Sequence, residues 1–310
     1  MNQHSSPQDH RALSNRRKFI TDTATIVGSA LIVSSPFGAS ARFLSLDEAV
    51  TVGQIIDRFI SQVPRGPIEN TVDTLKSGSR DTVVTGIVTT MFATIDVIRK
   101  AIALGANFII AHEPTFYNHQ DNTQWLENDD VYRYKADLLK QHSITVWRNH
   151  DYIHSLATDG VRKQVVEQLG WQRFGDPAQN VFNLSPAVTL KQLISEAKKR
   201  LSIQMVRYIG SPDQLCSKVV LMPGASGGTR QIEAISKNKP DVLMCGEISE
   251  WETAEYVRDA RAKGDKVSLV VLGHIASEEP GSAYMAKWLK ENFPAIKTTH
   301  IPSGNSLAFL

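Results

Sequence analysis

Short apolar segments typical of buried strands alternate with helical segments along most of this chain, and that alternation constrains the fold more than any other feature. Apolar runs at 83–88 and 107–111 flank a helical pattern at 93–104, which predicts parallel strands joined by a crossover helix. Further strands are predicted at 218–222, 242–245 and 267–272, with helical segments between them. We therefore predict an α/β fold with two sheet-based lobes, mostly parallel strands and flanking helices.

Candidate metal ligands follow three predicted strands, at 107–111, 144–147 and 267–272. They are imidazoles and carboxylates, at His112, Glu113, His150, His154, His274 and Glu278. In open α/β sheets, ligands collect in the crevice outside the carboxyl ends of the strands, so three distant segments are expected to meet at one cleft. Imidazole together with carboxylate is the ligand set of zinc, iron and manganese sites.

Each of the three segments also has a plainer interpretation. A histidine at a strand end, such as His112, can be a polar cap, and 150–154 can be a polar loop. His274 and Glu278 are four residues apart and share a helix face, but Glu278 could instead be favoured by the helix dipole. The metal hypothesis therefore depends on the segments taken together.

Five motifs carry a family resemblance: GANFIIAHEPTFY, HDYIHSLATDGV, LMPGASGG, DVLMCGEISEWE and GHIASEEPG. Their order and spacing resemble the Nif-three-like dinuclear metal-centre family, also labelled GTP cyclohydrolase I type 2-like. The resemblance covers about 46–310 and implies two metal ions, together with a toroidal homo-oligomer, commonly a hexamer. It implies that the metal ligands are His112, Glu113, His154, His274 and Glu278.

Two ligand positions depart from the family pattern. Glu113 stands where the family has a second histidine, and His154 stands where it has an aspartate, so the formal ligand charge is unchanged. Glu113 becomes a candidate bridge between the metals. Glu247 matches an acidic position of the family, and it could act as a general base or orient a ligand histidine. Alternatively, it is only a carboxylate at the start of a helix. His150 is expected to contact substrate or to support a ligand.

Ser226 offers an alternative, because GASGG at 224–228 fits G-x-S-x-G between a strand and a helix. Glu247 or Asp259, followed by His274, would complete a serine-hydrolase triad in chain order. The segment is equally consistent with a tight glycine turn, or with an anion site at a helix N-terminus. A serine hydrolase would leave His112, Glu113 and His154 without a role.

The N-terminal 41 residues resemble a twin-arginine export signal. SNRRKFI at 14–20 precedes a moderately apolar stretch at 24–33, and ASA at 39–41 predicts cleavage after Ala41. The stretch is too short to span a membrane. A basic extension before an amphipathic helix is the alternative. The predicted mature domain is 42–310, with lobes of about 42–185 and 186–310, located in the periplasm or secreted, with no membrane association after cleavage.

Charge and cysteine usage limit the possible partners. The leader holds four basic and two acidic residues out of 34 and 32 in the whole chain, so the mature part is neutral. A neutral body gives no reason to propose nucleic acid as a partner. Cys216 and Cys245 are too few for a disulfide framework, and we expect free thiols. A single disulfide between the two cysteines is the alternative.

The sequence thus favours an exported hydrolase that uses two divalent transition-metal ions (Zn, Mn or Fe) and a metal-activated water on a small-molecule substrate. A metal-binding or scaffold protein of the same fold, without catalysis, is the main alternative.

Overall fold

The computed structural model describes residues 49–308 and 310, so the predicted signal at 1–41 lies outside the described residues. The strands are β1 (Leu75–Ser77), β2 (Ile87–Thr90), β3 (Phe108–Ala111), β4 (Thr145–Arg148), β5 (Val181–Thr189), β6 (Arg207–Ile209), β7 (Leu215–Met222), β8 (Val242–Cys245), β9 (Ser268–Val271) and β10 (Thr298–His300). The α-helices are α1 (Val52–Ile60), α2 (Ile95–Ala103), α3 (Asp130–Gln141), α4 (Asp151–His154), α5 (Gly160–Leu169), α6 (Leu190–Arg200), α7 (Gly228–Asn238), α8 (Glu255–Ala262) and α9 (His274–Asn292). No helix in this part of the chain has the length and hydropathy of a membrane span.

The strands form two five-stranded mixed sheets, which confirms the predicted α/β class. The first sheet has the order β1-β4-β3-β2-β10, and the second has the order β5-β7-β8-β9-β6. The central strands of both sheets are parallel, whereas β1, β5 and β6 pair antiparallel with their neighbours at the edges. Parallel central strands need coverage on both faces, and β3, β4, β8 and β9 are accordingly buried along their whole length.

The two sheets are not separated by a single point in the sequence. The last strand, β10, pairs with β2 of the first sheet, although it follows the whole second sheet along the chain. Helix α9 begins at the end of β9 and packs against β2 and β10. One apolar cluster includes Phe108 and Trp147 of the first sheet together with Val219 and Val270 of the second. The strand ends of both sheets are thereby held around one cleft.

Edge elements account for most differences from the sequence prediction. The strand predicted at 83–88 begins later, at Ile87, because the Asn107 side chain accepts from Thr85 N–H and donates to the Val83 carbonyl, groups that a strand partner would otherwise bond. Strands β1, β5 and β10 were not predicted. Edge strands have one unpaired side and carry a weak apolar pattern. Strands β1 and β10 have only three residues each, and the nine-residue β5 has two buried residues and contains Pro186. Both cysteines are buried free thiols.

Candidate metal centre

His112 and Glu113 follow β3, the middle strand of the first sheet. Their backbone N–H groups still bond to the carbonyls of Thr90 and Met91, at 3.1 and 2.9 Å, so the sheet fixes both positions. Both side chains are buried, with 4% and 6% of their surface exposed. Buried polar groups need partners: His112 Nδ1 contacts the Asn149 carbonyl, and the Glu113 carboxylate lies near Arg148, His150 and His274.

His150 and His154 lie on one helical turn after β4. His150 caps α4, and the His154 N–H donates to the His150 carbonyl at 3.2 Å. Their ring centroids are 4.9 Å apart, and both lie near His112, with centroid distances of 4.9 and 5.1 Å. The helical turn thus places imidazoles at i and i+4 on one face, beside the strand that carries His112.

His274 and Glu278 occupy the first turn of α9, where His274 Nε2 lies 3.0 Å from Glu278 Oε2. The loop after β7 lies directly against Glu278. A Cβ atom added to Gly224 would lie 2.0 Å from Glu278 Oε1, and Gly224 has φ +67°, a conformation that favours glycine. Ser277 Oγ accepts from the Gly224 N–H at 3.0 Å and donates to the His274 carbonyl at 2.8 Å, which ties the loop to the helix.

All four imidazoles are oriented in the same way, with Nδ1 toward an oxygen acceptor outside the cluster. The pairs are His112 with the Asn149 carbonyl (3.1 Å), His150 with Asp151 Oδ1 (2.9 Å), His154 with Asp159 Oδ2 (3.0 Å) and His274 with Glu247 Oε2 (3.1 Å). Since carbonyl and carboxylate oxygens only accept, each Nδ1 carries the hydrogen, and Nε2 of the neutral ring keeps its lone pair. This is the orientation of metal-binding histidines in proteins.

Glu278 lies at the middle of the cluster. Its Oε2 is 3.4 Å from His112 Nε2 and 3.0 Å from His274 Nε2, and its Oε1 is 3.8 Å from His154 Nε2. Both oxygens of this one carboxylate therefore approach imidazole nitrogens from three segments.

Glu113 presents only one oxygen to the cluster. Its Oε1 lies 3.1 Å from His274 Nε2 and 3.8 Å from His150 Nε2, whereas its Oε2 lies 3.3 Å from Arg148 Nη2. Arg148 is completely buried and also donates to the His112 carbonyl. Of the two buried carboxylates, Glu278 is therefore better placed than Glu113 to bridge two ions.

The cluster carries strong and opposing electrostatic effects. Burial lowers the pKa of His150, and the neighbouring imidazoles His112 and His154 lower it further, to about 4. Burial also disfavours the charged form of His274, but the hydrogen bonds that its ring donates to Glu113 and other carboxylates outweigh it and raise its pKa to about 12. The carboxylates thus favour a positive charge among them, which a proton or a metal ion can supply.

The donor set fits a transition-metal centre. Donor atoms of His112, His150 and His154 lie within 4.8 Å of one another, and those of His112, Glu113 and Glu278 form a second such group. His112 Nε2 is buried without a hydrogen-bond partner, although Glu278 Oε2 is 3.4 Å away. An unpaired buried nitrogen costs stability, and coordination of a cation by its lone pair would satisfy it. Imidazole and carboxylate suit zinc, iron or manganese.

A cavity of about 1150 Å³ opens over the cluster. Its walls come from both sheets and include Tyr117, Lys135, Arg162, Ser226 and Arg230. Glu113, His150, His154, His274 and Glu278 also line it, so a small molecule in the cavity reaches the candidate ligands directly.

Glu247 and Ser226 differ in how they relate to the cluster. Glu247 is 54% exposed and contacts His274 Nδ1, which favours the orienting role over that of a general base. Ser226 Oγ is buried without a hydrogen-bond partner, and both nitrogens of His274 face carboxylates instead. The structure therefore lacks the serine–imidazole contact that a serine hydrolase requires.

The sequence analysis missed several residues of this site. The family pattern gives His150 a role in supporting a ligand or contacting substrate, and the structure places one of its ring nitrogens in the same group as those of His112 and His154. Asp159 and Arg148 were not considered. Asp159 precedes a helical pattern, as many cap residues do, and nothing local indicates that it also bonds His154. Arg148 stands inside an apolar strand, and a buried charge there was the available signal.

Comparisons with known proteins agree with this fold. A GTP cyclohydrolase 1 type 2 homolog from Clostridium acetobutylicum is 27% identical over 227 residues, which cover 70% of this chain and 80% of that protein. The crystal structure of a Bacillus cereus protein related to NIF3 matches 85% of this chain and 100% of its own, with a TM-score of 0.69 and 17% identity. Staphylococcus aureus protein SA1388 matches with a TM-score of 0.66 and 17% identity, covering 85% of this chain and 99% of its own.

The family model of Duf34/NIF3 (NGG1p interacting factor 3) matches residues 69–305, which include both sheets and every candidate ligand. This chain therefore belongs to the Duf34/NIF3 family.

Proposed function

We propose that this protein is a metal-dependent hydrolase with a centre of two divalent transition-metal ions, acting on a small molecule in the cavity above it. The observation that carries the proposal is the shared orientation of His112, His150, His154 and His274. Each has Nδ1 fixed by an oxygen acceptor and Nε2 near the buried carboxylates. Four imidazoles in this arrangement have no simpler structural explanation.

The residues that would hold the ions are His112, Glu113, His154, His274 and Glu278, with His150 as a sixth candidate. Glu278 is the preferred bridging carboxylate, because both of its oxygens approach imidazoles. Two divalent ions bound there would supply Lewis acidity and lower the pKa of a water molecule toward neutrality. Whether they are zinc, manganese or iron is left to elemental analysis.

The chain's own residues orient this centre and admit the substrate. Asp159 and Glu247 hold the rings of His154 and His274, and Arg148 holds one oxygen of Glu113, so the donor atoms need little rearrangement. Half-buried His150 lines the cavity, and the low pKa of its imidazole, due to burial and the neighbouring rings, keeps it neutral, which is the form in which a histidine binds a metal ion.

A non-catalytic metal-binding protein is the second candidate. Structural metal sites are closed by protein ligands, whereas catalytic sites keep a position open to solvent. The large cavity that reaches the ligands supports the enzyme. A serine hydrolase through Ser226 is less favoured, since its Oγ contacts no imidazole.

Export and assembly belong to the same proposal. We propose a twin-arginine signal at 1–41 that delivers the folded, metal-loaded protein to the periplasm or the medium, without later membrane or nucleic-acid association. We also propose a homo-oligomer, possibly a hexamer. The mass of the mature N-terminal peptide tests cleavage after Ala41, and light scattering of the purified protein tests assembly. Cytoplasmic retention with an intact N-terminus would reject export.

Elemental analysis of the purified mature protein tests the metal centre. The test variant is Glu113→Ala combined with His274→Ala, and the matched control is Glu233→Ala combined with His142→Ala, both exposed and away from the cavity. We expect about two transition-metal ions per chain in the wild type and control, and loss in the test variant. Fewer than about 0.2 ions per chain, after reconstitution with zinc, manganese or iron, would reject the centre.

Substrate turnover by the metal-loaded protein then distinguishes a metal-dependent hydrolase from a non-catalytic metal-binding protein. p-Nitrophenyl phosphate and p-nitrophenyl acetate report phosphoryl and acyl hydrolysis, and chelation should abolish either activity. Full metal occupancy with no turnover of these or of a wider hydrolase panel would favour the binding protein.

A further inference from the structure

Lys135 is a buried cation on the cavity wall, at a position with no assigned role. It lies in α3, and 4% of its surface is exposed. Its Nζ donates to the Thr115 carbonyl at 2.6 Å, and the residue lines the same cavity as the metal candidates. An ammonium group has three hydrogens, and one bond to a neutral carbonyl leaves its charge uncompensated.

The nearby carboxylates are already engaged by other cations. Asp121 Oδ2 lies 3.1 Å from Lys76 Nζ and 3.7 Å from Arg148 Nη1, and Glu113 Oε2 also lies near Arg148. Among the described residues, no carboxylate forms an ion pair with Lys135. Three buried cations thus lie around two carboxylates, and Lys135 is the one that makes no ion-pair contact, although the charge of Asp121 still favours its protonated form. A buried charge without a partner is costly, so such a site favours an anion from outside.

The surroundings of Lys135 strengthen this preference. The rings of Phe116 and Tyr117 lie 5.8 and 5.2 Å from Nζ, and Tyr117 is half exposed at the cavity wall. Aromatic faces stabilise a cation but do not neutralise it. Burial lowers the pKa of Lys135 to about 8, which leaves most of the ammonium protonated at neutral pH.

Thr115 supplies a second polar group at the same place. Its side chain is completely buried, and Oγ1 has no hydrogen-bond partner within the described chain, although the residue lines the cavity. The carbonyl of the same residue accepts the hydrogen bond from Lys135 Nζ, so the hydroxyl and the ammonium belong to one contact on the cavity wall. Thr115 follows Glu113 by two residues, which places the pair beside the candidate metal centre.

We propose that Lys135 Nζ and Thr115 Oγ1 form a subsite for an oxyanion, a carboxylate or phosphate group of the substrate, next to the reacting centre. The inference rests on the proposed hydrolase and narrows its substrates to small acids or phosphorylated molecules. Lys135 supplies the charge, and the hydroxyl of Thr115 donates to one oxygen of the bound group.

Isothermal titration of the metal-loaded protein tests the subsite, with inorganic phosphate and acetate as separate probes. The test variant is Lys135→Met, which keeps an apolar stem of similar length. The matched control is Lys140→Met, an exposed lysine of the same helix. We expect Lys135→Met to weaken binding of the preferred oxyanion by about tenfold or more, and Lys140→Met to leave it unchanged. The probe that loses more affinity identifies the phosphate or the carboxylate source.

Thr115→Val gives an independent measurement, because it removes Oγ1 and keeps the side-chain shape. We expect about three- to tenfold weaker oxyanion binding, with unfolding of the ligand-free protein unchanged or shifted to higher denaturant, since an unpaired hydroxyl disappears. A structural role alone would lower stability and leave the affinity unchanged.

Metal content measured on each preparation separates the two proposals. Binding that depends on Lys135 in a wild type without metal would reject the hydrolase and support the subsite. Metal at full occupancy, with Lys135→Met within about twofold of wild type, would overturn the subsite and leave the hydrolase intact. Failure of the wild type to bind either oxyanion at millimolar concentrations would also overturn it.

Discussion

Replacing Gly224 by alanine should displace Glu278 and empty the metal centre. The new Cβ would lie 2.0 Å from Glu278 Oε1, whereas ordinary contact begins at 3.4 Å, so the carboxylate or the loop must move by about 1.4 Å. Glu278 cannot move aside without leaving its place in the cluster, because it is buried in the first turn of α9 and its Oε2 contacts His274. A ligand moved by this distance no longer holds its productive geometry.

The size of the effect has two separable parts. The left-handed backbone at Gly224, φ +67°, costs an alanine roughly 1–2 kcal/mol of folding stability. Displacement of Glu278 adds a loss of metal affinity of at least about 10- to 100-fold, the range measured when groups that merely orient metal ligands are removed. Folding should therefore survive, while metal retention should not.

Gly227 provides the matched control. It has φ +82° in the same loop, and its added Cβ would meet nothing within 4 Å. Gly227→Ala should carry a backbone cost at least as large as that of Gly224→Ala, because φ +82° with ψ 151° is a conformation essentially restricted to glycine, and it should nevertheless retain metal. The assay is elemental analysis after dialysis against a chelator of graded strength, beside urea unfolding of both variants. Equal metal retention in Gly224→Ala and Gly227→Ala would refute the reasoning.

Three further predictions follow from individual contacts. Asp159→Asn should weaken metal retention about 10- to 100-fold, because the amide no longer holds His154 as a carboxylate does. The N-cap of α5 and the stability of the protein should persist, since asparagine is also a good N-cap residue. An unchanged metal affinity would contradict this prediction. Arg148→Met should lower the free energy of unfolding by about 3–5 kcal/mol in urea, since it leaves buried Glu113 unpaired, and a loss under about 1 kcal/mol would oppose it. The pKa of Lys135 in the fold, about 8 against 10.5 for the free side chain, means that the ligand-free wild type binds fewer protons than its unfolded chain between these values. Its stability relative to Lys135→Met should accordingly rise by up to about 3 kcal/mol from pH 8 to 10.5, and a flat difference would reject the shift.

Local sequence patterns were sufficient for the regular elements at the centre of the fold. The apolar run before His112 predicted β3, and the i,i+4 spacing of His274 and Glu278 predicted the first turn of α9. Both signals are periodicities that a strand or a helix imposes on its own residues. The edge strands β1, β5 and β10 were not predicted, because an edge strand is defined by pairing with a neighbouring strand rather than by a strong sequence pattern of its own.

The sequence also supplied the chemical types at the candidate centre, and with them the family. Imidazoles and carboxylates after β3, β4 and β9 indicated a transition-metal site, and the structure brings donor atoms from these segments together in groups that could hold a metal ion. The identities of the ligands stay a prediction until metal is measured. The sequence could not assign Glu113 and Glu278 different roles, since the difference lies in which atoms of distant residues surround each oxygen.

What the sequence determines differs from what only the tertiary structure determines, because the interactions involved act over different separations along the chain. The apolar periodicity of a strand or helix is carried by residues only a few positions apart, so the sequence alone determined the central α/β elements and the donor atoms at their ends. The tertiary structure decided which donors meet. In the folded protein His150 lies in the cluster, one oxygen of Glu113 lies near Arg148, and Lys135 contacts a carbonyl but forms no ion pair with a carboxylate. Burial and charge compensation act between residues far apart in the chain, and only the folded protein determines those distances.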